Sequence, residues 1–220
     1  MKTKGLFFAS VLVAAAMVAF AFLTAQRLPA GQVLPIHWNA AGVADDYAPA
    51  LPALLFPAGT VLLLALLFAA IPRLEPLQDK LEKSAAVLRA TWIGMLALLV
   101  TVQLAIGGSA WGIAVSANLV FVAVGALFVV LGNVLPKSRP GFFVGIRTPW
   151  TLTSEDNWIA THRLGGKLFM LAGLAMIAVG LLPLGEAVTM AVTLAAVPLA
   201  GLVPVVYSWW LWRSERTSRG

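Results

Sequence analysis

Six long apolar segments divide this chain and restrict what it can fold into. They cover residues 5–25, 49–71, 90–106, 111–135, 168–184 and 187–212. A helix rises about 1.5 Å per residue, so each segment can cross most or all of a hydrocarbon layer about 30 Å thick. Hydrophobic residues make up 60% of the sequence and charged residues 11%, a balance that a water-soluble domain of this length could not bury. We therefore predict an all-α integral membrane protein of about six transmembrane helices, with residues 1–220 forming a single polytopic domain.

The first apolar segment could also be a secretory signal peptide, because Lys2 and Lys4 precede it. A signal peptide has an apolar core of about 7–15 residues, followed by a cleavage site of small residues. The segment from Gly5 to Ala25 is longer than this core, and the residues after it make a poor cleavage site. We interpret it as a retained first helix.

Lysine and arginine are distributed unevenly among the predicted loops. Of the 15 basic residues, only Arg27 falls on one side of the membrane, in the first loop; the others fall in the termini and in the second and fourth loops. Loops rich in Lys and Arg stay in the cytoplasm. We therefore expect a multi-pass protein of the inner (plasma) membrane with both termini in the cytoplasm. The net charge of +6 is then a topology signal, and we expect no direct binding of nucleic acid.

The predicted exterior loop, residues 26–48, contains the segment PIHWNAAGVADD with one histidine and two carboxylates. Asn39 and Gly42 are typical of a turn, because both tolerate positive φ. A single histidine with two aspartates would bind a metal weakly. A His–Asp pair can act as a general acid–base, but no Ser or Lys nucleophile accompanies it in this loop. Turn formation and recognition of an exterior ligand remain the stronger explanations, and the candidate ligand-binding residues are Pro35, His37, Asn39, Gly42 and Asp45.

The sequence offers little machinery for cofactors or transport. It has no cysteine, no phosphate-binding glycine loop and no cluster of metal-ligand residues. We therefore expect no catalytic residues, no metal site and no tightly bound cofactor. The predicted spans carry no charged residue, and their polar groups include the amides of Gln103 and Asn118. This disfavours a proton relay or an ion pathway through the membrane.

The second loop, residues 73–89, has a helical pattern. Leu74, Leu77, Leu81 and Ala85 share one helical face, and charged residues occupy the other. We expect either a short amphipathic helix lying on the cytoplasmic membrane surface or a solvated helical connector.

The fourth loop, residues 133–167, is long enough to carry a function. Its first part is rich in proline and glycine and is predicted to be extended. Thr153 is predicted to cap a short helix that begins with the acidic residues of the TSED sequence. We expect this helix to end at Gly165 and Gly166, just before the fifth span.

Arg147 of this loop lies among apolar and aromatic residues, in the sequence FFVGIRTPW. An unpaired guanidinium in such surroundings is costly. We expect Arg147 to pair with Glu155 or Asp156 and so pin the loop to its own helix. Lipid phosphate and a docked cytoplasmic partner are the alternatives.

Several uncommon residues occur at characteristic positions of the fourth loop: Asn133, Leu135-Pro136, GIRTPWT at 145–151, Trp158 and HRLGGK from His162. Through these residues the segment resembles the SdpI family of bacterial membrane proteins. Gly141 departs from the pattern, since the family often has Asn there. The residues that the resemblance marks for partner binding or for structure are Asn133, Pro136, Gly145, Arg147, Pro149, Trp150, Thr151, Trp158, Arg163, Gly165 and Gly166. The exterior loop is similar to an uncharacterised membrane domain that often precedes the SdpI-type half.

The resemblance implies an immunity or signal-transduction protein, and not an enzyme. On that reading the protein protects its cell against an exported antimicrobial peptide toxin. The implied partners are membrane lipid, an exported toxic peptide outside and a transcriptional repressor inside. Two alternatives stay open: a membrane enzyme or transporter acting on a lipid or small solute, and a structural membrane protein without a ligand.

Overall fold

The computed structural model describes residues 3–113 and 117–217. In chain order its elements are α1 (Lys4–Arg27), β1 (Val33–Trp38), β2 (Ala44–Pro49), α2 (Ala50–Leu74), α3 (Gln78–Lys83), α4 (Ala85–Gly107), α5 (Ala117–Val134), α6 (Pro149–Thr153), α7 (Glu155–Leu181) and α8 (Gly185–Thr217). Short 3-10 turns follow α4 at Gly108–Trp111 and α5 at Leu135–Lys137. Within the described part, α1, α2, α4, α5, α7 and α8 are long and apolar enough to cross a membrane. The prediction of an all-α protein with six spans is confirmed.

The outer faces of these helices carry large apolar side chains. Phe8, Leu12 and Phe56 are 68%, 73% and 76% exposed, although they lie within apolar helices. An apolar surface of this kind is unfavourable in water but matches the acyl chains of a bilayer. The helices therefore bury small and polar residues between them and turn their largest apolar groups toward lipid.

The two ends of the helix bundle differ in structure. Strands β1 and β2 form an antiparallel hairpin at one end, which we call the hairpin end. Helices α3 and α6, with the loop of residues 138–148, lie at the other end, which we call the loop end. The assignment of the loop end to the cytoplasm rests on the distribution of basic residues and stays a prediction.

Helix α7 is longer than predicted and corrects the interpretation of two glycines. It runs without interruption from Glu155 to Leu181, so Gly165 and Gly166 lie inside it and do not end a separate short helix. Neither residue has positive φ. A Cβ at Gly166 would come within 2.7 Å of the carbonyl oxygen of Gly132, so glycine is needed there for close packing and not for a helix stop.

A line of glycines brings α5 and α7 close together. The facing pairs are Gly125 with Gly173, Gly132 with Gly166, and Asn118 with Gly180. A Cβ on any of the five glycines would come within 2.5–2.7 Å of the backbone carbonyl oxygen of the residue that faces it. The positions recur every seven residues on both helices, as expected for two helices that keep the same faces together. We call this contact the glycine seam; it was not predicted from the sequence.

Polar side chains join the first three spans internally. The buried amide of Gln103 donates to the backbone carbonyls of Met17 in α1 and Leu54 in α2, at 2.8 and 2.9 Å. Near the other end, the indole N–H of Trp92 donates to the hydroxyl of Ser10 at 2.8 Å. The amide of Gln103 thus links three helices, which gives this polar residue of the spans a structural role.

The connection between α2 and α4 is shorter and more buried than a surface-lying helix. Only α3, six residues long, is helical between the two spans. Leu81 and Ala85 are buried, whereas Leu74 and Leu77 are 59% and 39% exposed. The expected continuous apolar face is therefore interrupted, because the chain bends at Glu75 to meet the loop of residues 138–148.

Candidate functional sites at the two ends of the helix bundle

The exterior segment folds as a β-hairpin, a more regular structure than the turn expected from sequence. Strands β1 and β2 pair in an antiparallel register, with Pro35 opposite Tyr47. The register is irregular on both sides of His37, which stands opposite Asp46. Proline fits this strand because β1 pairs only with β2, so its other edge makes no ladder hydrogen bonds.

Asn39 and Gly42 form the turn of the hairpin, as predicted. The side-chain oxygen of Asn39 accepts hydrogen bonds from the backbone N–H groups of Ala41 and Val43, at 3.0 and 3.1 Å. Gly42 has φ of 83°, and a Cβ there would lie 2.9 Å from the ring of Phe121 in α5. Both residues thus shape the turn and hold its tip against the helices.

His37 and Asp45 form a pair on the hairpin surface. The imidazole Nδ1 lies 2.5 Å from a carboxylate oxygen of Asp45, and the two side chains are 64% and 43% exposed. Asp46 instead accepts a hydrogen bond from the backbone N–H of Tyr47. A carboxylate on Nδ1 orients the ring and leaves Nε2 available to a ligand. In residues 3–113 and 117–217, no group of three or more His, Cys, Asp or Glu side chains is placed to hold a metal ion.

A cleft of about 450 Å³ lies between the hairpin and the helices beside it. Its lining residues are Ile36, His37, Trp38, Asn39 and Ala40 of the hairpin, Val102 of α4, Val120 and Phe121 of α5, and Thr193 of α8. The cleft is mostly apolar with a few polar groups at one side, a composition typical of ligand sites. Of the five predicted exterior residues, His37 and Asn39 line the cleft, Asp45 orients His37, and Pro35 and Gly42 shape the hairpin.

The helix residues of the cleft were missed by sequence analysis. Val102, Val120, Phe121 and Thr193 have no local motif that distinguishes them from other apolar or small residues of a span. The hydroxyl of Thr193 donates to the carbonyl of Thr189 in its own helix, at 2.8 Å.

At the loop end, Glu75 holds the loop of residues 138–148. This residue is 2% exposed, and one carboxylate oxygen accepts from the backbone N–H groups of Phe142 and Phe143 at 2.9 and 3.1 Å. The other oxygen accepts from the N–H of Leu77 at 3.1 Å. Sequence analysis did not single out Glu75, because nothing in its own segment indicates a partner so distant in sequence.

Trp158 and His162 fix the end of the same loop. Both are fully buried, their rings are stacked with centroids 4.1 Å apart, and the ring nitrogen Nε2 of His162 accepts from the backbone N–H of Ile146 at 2.8 Å. Nδ1 lies 2.7 Å from the carbonyl oxygen of Trp158 and donates to it, so the imidazole is neutral. A Cβ at Gly145, where φ is 115°, would lie 2.6 Å from both rings.

The TPWT sequence forms a capping box, and this corrects the predicted cap. The hydroxyl of Thr148 accepts from the N–H of Thr151, whose own hydroxyl accepts from the N–H of Thr148, with Pro149 at the first position of α6. Ser154 caps α7 by accepting from the N–H of Asn157 at 3.2 Å. Thr153, the predicted cap, ends α6 and donates to the carbonyl of Pro149.

The expected ion pair of Arg147 is wrong. Its guanidinium is exposed and donates to the backbone carbonyl of Phe142 at 2.6 Å, within its own loop. Glu155 lies 3.8 Å from Lys80 of α3 instead. The argument from desolvation fails because the side chain is exposed and a backbone carbonyl accepts its hydrogen bond. A role for Arg147 in docking a partner stays a prediction.

The remaining signature residues have different surroundings. Gly165 packs closely against Ile146, because a Cβ at Gly165 would lie 2.7 Å from that side chain. Pro136 packs against Gly166 in the same way, at 2.8 Å. The ring of Trp150 lies beside that of Trp212 of α8, with the centroids 6.2 Å apart and the ring planes tilted by 45°. Asn133 and Arg163 are exposed. The signature is therefore mainly a packing motif, with a small exposed part.

Comparisons with known proteins find similarity that includes the signature residues of the loop end. Residues 137–208 match the profile of the SdpI/YfhL protein family. The chain is also 28% identical over 162 residues to the immunity protein SdpI of Bacillus subtilis strain 168, which covers 71% of this chain and 74% of the relative. The chain is thus similar to SdpI proteins in its second half and, more weakly, over most of its length. No solved structure gives a significant match.

The family match includes most of the loop end. The family match begins at Lys137 and ends at Ser208, so it contains the loop, α6, α7 and most of α8. Ser208 itself is buried and its hydroxyl lies 3.0 Å from that of Thr148. The resemblance expected from the sequence is confirmed, and with six spans it places the chain in the bacterial plasma membrane as a multi-pass protein.

Proposed function

We propose that this SdpI-like protein protects its cell against an exported antimicrobial peptide, and that it acts by binding and not by catalysis. The observation that carries the proposal is the similarity to the immunity protein SdpI over 71% of the chain. A peptide that attacks from outside must meet the exterior face, which the distribution of basic residues assigns to the hairpin end.

The cleft beside the hairpin supports a role as the recognition surface. Its apolar floor, formed by residues such as Val120 and Phe121, suits an apolar or aromatic side chain of a peptide. His37, oriented by Asp45, offers a polar group at the rim. A β-hairpin with an open edge can also bind an extended peptide through backbone hydrogen bonds.

The experiment is a protection assay in a toxin-sensitive strain from which the gene has been deleted. Cells expressing the wild-type chain are exposed to culture supernatants of sibling strains that export peptide toxins, and survival is compared with cells carrying an empty vector. We expect protection to be lost with Ala40→Trp, which fills the cleft, and reduced with Asp45→Asn, which weakens the orientation of His37. The matched control is Asp46→Asn, which removes the same charge one residue away.

The amount of each variant protein in the membrane distinguishes a loss of toxin recognition from a loss of folding. If Ala40→Trp and Asp45→Asn remove protection while abundance is unchanged, the cleft recognises the toxin. If protection is lost only together with abundance, the residues serve the fold. Wild-type protein that gives no protection against any of the tested supernatants would contradict the proposed function.

A further inference from the structure

A groove runs along the contact between α7 and α8 from the loop end toward the middle of the membrane. Its outer part is a cavity of about 370 Å³ lined by Ala160, Arg163, Leu164, Lys167 and Tyr207. Its inner part is a cavity of about 340 Å³ lined by Leu168, Leu171, Ala172, Ala175, Val192, Ala195, Ala196, Leu199 and Ala200. Neither cavity shares a lining residue with the hairpin cleft, although Val192 of the inner cavity is next in sequence to Thr193, which lines that cleft.

The lining residues of the two cavities follow one another along the same two helices. On α7 the lining residues follow one another at helical spacing from Ala160 to Ala175, so they share a single face of the helix. On α8 they run in the opposite direction from Tyr207 to Val192, as expected for antiparallel neighbours. The groove is therefore cationic at its loop end and apolar below it.

The charge of the outer part is uncompensated. Arg163 and Lys167 are exposed, and neither forms an ion pair with a carboxylate of the described residues. The groove lining, as far as the chain is described, contains no acidic side chain. An arginine fork beside a lysine, one helical turn apart, matches the oxygen atoms of a phosphate group.

The two cations lie near one end of the apolar part of α7. From Lys167 to Leu181 this part is about 21 Å long at about 1.5 Å per residue, shorter than a hydrocarbon layer of about 30 Å, and long basic side chains can extend outward toward the headgroups. Tyr207 stacks on Trp210 with ring centroids 5.9 Å apart. Aromatic pairs of this kind are typical of the membrane–water boundary.

We propose that the groove between α7 and α8 binds an anionic phospholipid, with its phosphate on Arg163 and Lys167 and an acyl chain in the apolar cavity. The hydroxyl of Tyr207 is placed to contact the headgroup. The order of chemical groups along the groove, cationic and then apolar over several turns, is that of a phospholipid entering the membrane. The absence of a carboxylate from the described lining favours an anionic headgroup over one with a free ammonium group.

Native mass spectrometry of the purified full-length protein tests this. The protein in detergent receives phosphatidylglycerol or phosphatidylethanolamine with identical acyl chains at equal concentration. We expect wild-type protein to retain phosphatidylglycerol about tenfold better, and R163Q/K167Q to lose most of this preference. The control K83Q/K137Q, which changes the same charges at exposed residues outside the groove, keeps the preference. Equal retention of the two lipids by wild-type protein, or equal loss in the control, overturns the proposal.

A second variant tests the apolar part without changing charge. Ala196→Phe fills the inner cavity, and we expect it to lower phosphatidylglycerol retention several-fold while the thermal midpoint of unfolding stays near that of the wild type. The Ala196→Phe variant also tests the proposal if R163Q/K167Q does not fold. The soluble headgroup glycerophosphoglycerol is expected not to compete at the lipid concentration. Full competition by this headgroup, or unchanged retention in Ala196→Phe, would show a simple phosphate site and overturn the lipid assignment.

Discussion

The buried carboxylate of Glu75 accepts a hydrogen bond from the backbone N–H of Phe142 at 2.9 Å, across 67 positions of sequence. Ser84 makes a similar contact, since its hydroxyl accepts from the N–H of Arg139 at 2.9 Å. The connection between α2 and α4 thus holds the first part of the family-matched region in place. The two halves of the chain form one structural unit at the loop end.

Glu75→Gln is expected to loosen this loop. The amide keeps one acceptor oxygen but turns an NH2 group toward backbone N–H donors, and leaving buried donors unpaired costs about 1–3 kcal/mol. Trypsin should then cleave faster after Arg147 in detergent-solubilised protein. Asp79→Asn removes the same charge at an exposed residue and should leave cleavage unchanged. Equal rates in Glu75→Gln and the wild type would contradict this role of Glu75.

The glycine seam should not tolerate even one methyl group. In Gly173→Ala the new Cβ would lie 2.5 Å from the carbonyl oxygen of Gly125, and both helices must move apart. We expect a loss of about 1–3 kcal/mol in unfolding free energy, measured by denaturation in mixed micelles. Gly59→Ala is the matched control, because its Cβ meets no atom within 4 Å and a helical Ala is favoured over Gly by up to about 1 kcal/mol. Similar stabilities of the two variants would argue against the seam.

Replacement of His162 should cost more than replacement of His37. His162→Phe keeps the ring stack on Trp158 but leaves the backbone N–H of Ile146 without its acceptor, at a cost of about 1–3 kcal/mol. His37→Phe changes an exposed side chain and should shift stability by at most about 1 kcal/mol. Thermal unfolding of both variants in the same detergent provides the comparison. A larger loss for His37→Phe would be inconsistent with the hydrogen bond to Ile146.

Single-cysteine labelling checks the orientation in the membrane. The chain has no native cysteine, so Asp46→Cys at the hairpin end and Asp156→Cys at the loop end each introduce a unique thiol. We expect an impermeant thiol reagent to label Asp46→Cys in intact cells and Asp156→Cys only after the membrane is opened. Labelling of both from the same side would contradict the arrangement of six spans with the loop end in the cytoplasm.

Local signals explain why some of the details could be predicted. Asn39 and Gly42 make the turn because an Asn side chain can accept hydrogen bonds from nearby backbone N–H groups and glycine readily adopts positive φ. Local signals also explain the error at Gly165 and Gly166. Two adjacent glycines before an apolar segment are typical of a helix end, and only the position of Gly132 and Pro136 opposite them shows that they serve close packing.

The sequence by itself determined the class of fold and the membrane setting. Length and hydrophobicity decide whether a segment can cross a bilayer, and both properties are local to the segment. The tertiary structure decided the sites. The hairpin cleft, the contact of Glu75 with Phe142 and the groove between α7 and α8 each combine residues from distant segments. Which helix faces meet depends on side-chain packing between spans, and hydrophobicity cannot specify it because lipid is as apolar as a neighbouring helix.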